Sequence, residues 1–307
     1  MAAQWRFILH GKQAGNEALR EQVARLRSEG FEVGVRVTWE PGDGARFADE
    51  AVADGVDLVL SAGGDGTLNE IAGALAARDQ AAELLPALAV LPLGTANDFA
   101  TAAAVPSTLE DAIAHAQSAP LRLVDLVRVE CDGRVAWFVN VATGGFGTEV
   151  TTETPEELKR TFGRVAYLMT GIARFSSLRS ASGRFHGDGF AWEGEFLTLG
   201  IGNARLAGGG HALCPDALLD DGLVDVAILP APEEGALAEV LGTLFRDGRA
   251  GLENAAIRAR VPELWVSADH GMTLNLDGEP IQGSEFHIQV VPRRLRMPLA
   301  ADCPLLC

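Results

Sequence analysis

Two short glycine turns carry the residues best suited to chemistry. The first is Ser61-Ala62-Gly63-Gly64-Asp65-Gly66-Thr67-Leu68-Asn69-Glu70, and the second is Leu91-Pro92-Leu93-Gly94-Thr95-Ala96-Asn97-Asp98-Phe99-Ala100. Each follows an apolar run and precedes a helical pattern, the place where backbone N–H groups and a positive helix end converge on phosphate in α/β sheets. Consecutive glycines let main chain approach a polyphosphate with no Cβ in the way, and Thr67 can cap the helix or bind a phosphate oxygen. Asp65 is the odd residue: an anion beside phosphates implies a divalent metal between them, hence magnesium. Taken as an isolated turn, the segment reads equally as a strand-to-helix connection in which Asp65 bonds its own backbone.

The elements that would hold these turns are legible from periodicity. A buried strand over Arg6–His10 precedes a helix over Glu17–Arg27, with Leu19, Val23 and Leu26 on one face. A strand over Glu32–Thr38, a helix over Gly44–Ala53, a strand over Val56–Leu60 and a helix over Leu68–Ala77 follow. A strand over Ala87–Leu93 then leads to a helix beginning near Asn97. The order βαβαβαβ predicts an α/β domain with a parallel sheet covered on both faces. After Arg122 the pattern changes to strands and tight turns: Leu123–Glu130, an Asp132-Gly133 hairpin, and Val135–Val141. Helices are expected only over Glu156–Ser177 and Glu233–Arg246. The expected division is an α/β nucleotide-binding domain over 1–128 and an antiparallel β-rich domain over 129–295, with about 296–307 free to return to the first.

Composition narrows the function classes. The 307 residues carry a formal charge of −17, which argues against nucleic acid as partner and against adhesion to anionic lipid by charge alone. The opening residues do not read as a secretory signal, and the apolar run Leu84–Leu93 is too short to span a bilayer. A cytoplasmic chain is expected, with contact at the inner membrane surface left open. Cys131, Cys214, Cys303 and Cys307 match no zinc or redox spacing, the six histidines form no metal or triad pattern, and the commonest phosphate-loop and protein-kinase motifs are absent.

G-G-D-G-T followed by P-L-G-T-A-N-D-F-A resembles the signature of the diacylglycerol kinase catalytic domain and its bacterial lipid kinase relatives. The first motif is shared with NAD kinases; the second separates them. Val35–Glu40, Asn140–Gly147, Gly208-Gly209-Gly210, Cys214–Leu218, Asp221-Gly222-Leu223 and Asn275–Pro280 are similar to the YegS-type subfamily. The start departs from it, with Leu9-His10-Gly11-Lys12 where many relatives have an Asn-Pro turn.

The resemblance implies a metal-dependent kinase that moves the ATP γ-phosphoryl group to a lipid hydroxyl. The implied ATP contacts are Thr38, Gly64, Asp65, Gly66, Thr67, Leu68, Asn69, Glu70 and Thr95. It implies Glu279 as the base that takes the acceptor proton, although by sequence alone Glu279 reads as a solvent-facing turn acid. It also implies a second cation position at Leu218, Asp221 and Leu223, built largely from main-chain carbonyls and open to Mg2+ or Ca2+. Asp98 and Asp125 are placed near the cleft, each readable equally as a cap or an ion-pair partner. For the lipid, the stretch Arg164–Arg179 could lie on a membrane surface or cover the sheet. The competing readings are a kinase for NAD or another soluble acceptor, and a sensor that catalyses nothing. No protein partner is implied, and the identity of the lipid is not written in any motif.

Overall fold

The computed structural model describes residues 2–145, 180–231 and 255–307. The expected helices over Glu156–Ser177 and Glu233–Arg246, the stretch Arg164–Arg179, and Phe146 and Gly147 lie outside the described residues.

Strands β1 (Gln4–Leu9), β2 (Glu32–Val37), β3 (Leu58–Gly63) and β4 (Ala87–Pro92) form an all-parallel sheet in the order β2-β1-β3-β4. Alternation along β1 explains the two layers of helices. Phe7 and Leu9 face α1 (Glu17–Ser28), meeting Leu19, Val23 and Leu26, whereas Ile8 faces α2 (Asp43–Ala53) and α3 (Asp65–Ala76), meeting Phe47, Ile71 and Leu75. β3 is buried along its whole length, as a central parallel strand must be.

Two helix boundaries differ from the sequence pattern. α3 begins at Asp65, three residues before the apolar periodicity starts, because an acid in the first turn suits the positive helix end. The helix expected from Asn97 is short, α4 (Asp98–Ala102); Ala104 takes a left-handed φ of 55° and the chain restarts as α5 (Leu109–Ser118), capped by Thr108.

The remaining strands form one antiparallel sheet. They are β5 (Leu121–Cys131), β6 (Arg134–Phe138), β7 (Val141–Gly145), β8 (Ala181–Gly187), β9 (Phe190–Gly202), β12 (Val224–Pro230), β13 (Ile257–Val261), β14 (Glu263–Leu276) and β15 (Glu279–Pro298). β10 (Leu206–Ala207) and β11 (His211–Ala212) make a separate small hairpin. β7 and β8 occupy the same slot between β9 and β14, one after the other. The single strand expected over Val135–Val141 is therefore two, broken at Val139 and Asn140.

β15 runs 20 residues and pairs with β5 from Phe286 to Pro298, with one interruption of register between Val291 and Leu295. Its far end, Leu295 and Met297, joins Leu299, Cys303 and Leu305 in the same core as α2 and α3. The C-terminal residues are thus packed against the parallel sheet's helical layer.

Candidate active site

The carboxyl ends of the four parallel strands sit side by side. Thr38 N–H donates to the Leu9 carbonyl (2.8 Å), His10 N–H to that of Ala62 (3.0 Å), and Leu93 N–H to that of Gly63 (2.9 Å). Thr38 Oγ1 accepts from Gly11 N–H (3.2 Å). The two glycine turns touch: a Cβ on Gly64 would lie 3.3 Å from Gly94 Cα, and one on Gly94 would be driven into Gly64 and to 2.8 Å from Asn97 Oδ1. Asn97, itself left-handed at φ 53°, closes the second turn by accepting from Gly94 N–H (2.9 Å) and donating to Pro92 and Gly94 carbonyls. The result is one continuous ledge with the exposed Thr95 on one side and the first turn of α3 on the other.

Within that first turn the N–H groups of Gly66 and Thr67 have no helical carbonyl to reach, so they suit an anion. Leu68 does not share this property. Its side chain is buried in the core and its N–H bonds the Gly64 carbonyl (3.1 Å). Glu70 also faces protein: its Oε1 accepts from Gly42 N–H (2.6 Å), bracing α2 against α3.

Four aspartates around the ledge act as clamps on main-chain amides. Asp65 accepts from Asp98 N–H and Phe99 N–H, both at 3.1 Å, and so caps α4 across the turns. Each Asp65 oxygen thus carries one amide and keeps a second acceptor site. Asp98 accepts from Gly209 N–H (2.9 Å) and Gly210 N–H (2.7 Å), tying the second turn to the Gly208–Gly210 loop of the other half. Asp125 accepts from Gly222 and Arg293 N–H, both at 2.7 Å, and burial pushes its carboxyl above the usual range. Asp98 and Asp125 are thus caps on amides from distant loops.

The fourth clamp, Asp277, had no role in the sequence beyond an Asp-Gly turn. Its carboxylate accepts from the N–H groups of Val139 (2.8 Å), Asn140 (3.0 Å) and Val141 (2.9 Å), which is why the strand breaks there. Burial pushes the Asp277 carboxyl up to about 6 against those three amides, and the charge of Asp65 adds to the rise. The folded state then keeps this proton to higher pH than the unfolded chain does. Its contribution to stability is complete below about pH 4 and is lost as pH rises through about 6. Asp277→Asn removes the titrating group and is expected to flatten the fall in stability between about pH 4 and 6. Denaturant unfolding of both proteins across that range checks this; parallel pH profiles would refute it.

Asp277 and Gly278, with φ of 50° and 106°, make the tight turn between β14 and β15, the left-handed pair such hairpins require. Glu279 is the next residue, paired with Leu276 and exposed. The Leu276 carbonyl accepts from Asn69 Nδ2 of α3 (3.4 Å), so the hairpin tip is docked on the helix that begins at the glycine turn. Glu279, Asn69 and Glu70 line a cleft of about 220 Å³ whose remaining walls include Gly73, Ala74, Trp137, Leu276 and Ile281. A carboxylate therefore faces a largely apolar slot one helical turn beyond the anion-receptive amides.

At the second expected cation position, Asp221 pairs with Arg260 and accepts from Leu223 N–H (2.9 Å). Leu218 and Leu223 are half-buried around the same turn, and the negative charge of Asp220 and Asp221 acts on Asp125 nearby. Among the described residues no group of three or more His, Cys, Asp and Glu side chains could hold a metal ion. A cation here would need the main-chain carbonyls of Leu218 and Leu223 beside Asp221.

Residues 4–129 match the family model described as the diacylglycerol kinase catalytic domain, and residues 140–299 match the YegS C-terminal NAD kinase beta sandwich-like domain. A curated relative from Xanthomonas oryzae pv. oryzae, named "Probable lipid kinase YegS-like", is 53% identical over 99% of this chain and 98% of its own. The chain belongs to the YegS-type diacylglycerol kinase family. A second relative of the same name, from Pseudomonas aeruginosa, is 52% identical to this kinase over 98% of the chain and 95% of its own. A diacylglycerol kinase structure from Bacillus anthracis str. Sterne superposes with a TM-score of 0.72 at 19% identity, covering 98% of each chain, and shares the kinase's fold. Among the described residues of the kinase no helix is long and apolar enough to cross a membrane.

Proposed function

We propose that this kinase transfers the γ-phosphoryl group of ATP to the hydroxyl of a lipid, with Glu279 accepting the proton of that hydroxyl. The contact between Gly64 and Gly94 carries the reading, since it makes one phosphate ledge of two turns with no Cβ between them and the ligand. Thr38, Gly64, Gly66, Thr67 and Thr95 border that ledge, with Asn69 and Glu70 holding the acceptor cleft against it. An acceptor hydroxyl seated beside Glu279 would be oriented by the cleft walls and shielded from water by Trp137 and Ile281. The curated relatives are named lipid kinases, and the apolar walls favour such an acceptor over NAD or a sugar phosphate.

Asp65, with one amide on each oxygen, keeps an acceptor site with which it would hold a divalent cation at the phosphates, directly or through water. A divalent cation arriving with ATP would supply charge neutralisation of the phosphoryl oxygens. At the second position Leu218, Asp221 and Leu223 fit a structural cation only if Asp221 shares its carboxylate with Arg260.

The test is incubation with γ-labelled ATP and Mg2+, offering mixed micelles of a total lipid extract, NAD or sugar phosphates. Label is expected in the organic phase, with mass spectrometry naming the lipid. Label on a soluble acceptor, or ATP binding without transfer to any acceptor, would overturn the proposal.

A further inference from the structure

The carboxyl edge of the parallel sheet carries one more feature that the phosphate ledge does not use. Trp39 follows Thr38 directly at the end of β2, and it is 94% exposed. Of the chain's five tryptophans the other four are buried or half-buried. An indole left bare in water retains its full apolar area for whatever ligand arrives.

The segment that carries it is braced. Trp39 N–H (2.7 Å) and Glu40 N–H (3.2 Å) both donate to Asp43 Oδ2, and Arg46 bonds the other oxygen. Those amides and that guanidinium hold the Asp43 carboxyl down at about 2. Gly42 N–H is held by Glu70 of α3, and Thr38 is held by β1 and Gly11. The tryptophan therefore stands on a fixed turn between β2 and α2, braced by α3.

Its position follows from strand order. β2 is the edge strand, and β1 lies between it and β3, which carries the first glycine turn. Two interstrand spacings, roughly 10 Å, separate the phosphate-binding turn from the end of β2, a separation a nucleotide spans between its phosphates and its base. Resting on the nucleotide reading above, we propose that Trp39 is the base platform of this site, its indole stacking on the adenine while Gly66, Thr67 and Thr95 take the phosphates. The nearest charged neighbours in sequence are Glu40, Arg36 and Asp43, with Arg36 already paired to Glu50 and Arg46 to Asp43 and Glu50. That acidic setting disfavours an anionic bilayer as the occupant and leaves a neutral ring free to stack.

Titration with the non-hydrolysable analogue AMP-PNP tests this, using wild type, Trp39→Ala and Trp39→Phe, with inorganic tripolyphosphate titrated in parallel. Trp39→Ala is expected to weaken AMP-PNP binding roughly 5- to 150-fold with tripolyphosphate affinity and thermal midpoint unchanged, and Trp39→Phe to restore most of the loss. Equal AMP-PNP affinity in wild type and Trp39→Ala overturns the platform, as does a parallel loss for tripolyphosphate. Loss of binding to phosphatidylglycerol–phosphatidylcholine vesicles with AMP-PNP affinity intact would assign the indole to the bilayer and overturn it too. Failure of wild type to bind AMP-PNP at all would instead remove the nucleotide reading on which the platform rests.

Discussion

Glu279→Gln is expected to cut phosphoryl transfer into extracted lipid by about 100- to 10,000-fold, the range a positioned general base contributes, while AMP-PNP binds as before. The substitution keeps the size of the side chain and removes only its ability to accept a proton. Because Glu279 is exposed at a hairpin tip, its change to glutamine should leave stability within about 0.5 kcal/mol. A thermal midpoint matching wild type therefore assigns the lost turnover to chemistry. Transfer within threefold of wild type would remove Glu279 from the reaction.

The second large effect belongs to Gly94→Ala. The new methyl group meets main chain of Gly64 and the Asn97 side chain that closes the turn, and neither is the free end of a flexible group. The two turns must part, at a cost of about 1–3 kcal/mol for overpacking. Because the ledge is shared, nucleotide affinity should fall at least about tenfold, equivalent to about 1.4 kcal/mol. Gly66→Ala provides the contrast in stability, since a Cβ there meets nothing within 4 Å. Calorimetric titration with AMP-PNP and thermal unfolding separate the two. Wild-type affinity in Gly94→Ala would show that the joined turns do not hold the nucleotide.

Much of this architecture is written in local pattern. The α1 face of Leu19, Val23 and Leu26 needs only helical spacing, and the glycine turns announce themselves by composition. The partners of the aspartates could not be read in the same way. Asp65 bonds amides 33 and 34 residues away, Asp98 amides 111 and 112 away, and Asp277 amides up to 138 away. A carboxylate clamping a distant amide leaves no periodicity behind. Asp277 was also masked by its neighbour, because an Asp-Gly pair is explained by the turn alone. Leu68 shows the opposite difficulty. The motif spans it, yet helical geometry turns its side chain into the core, and motif membership alone does not tell which way a side chain faces.

The twenty-residue strand that begins at Glu279 also ends in the core shared with α2 and α3. Glu279, proposed above as the base, and the core anchor are thus on one unbroken span of chain, not on two bodies joined by a slack tether. Its ladder with β14 shifts register between Gly283 and Glu285, and its ladder with β5 is interrupted around residues 292–294, where Arg293 adopts φ 55° and is pinned by Asp125. Any widening of the cleft beside Glu279 must flex the spar at those joints, so on the reading proposed above the gap between base and phosphate is governed by the stiffness of a paired strand.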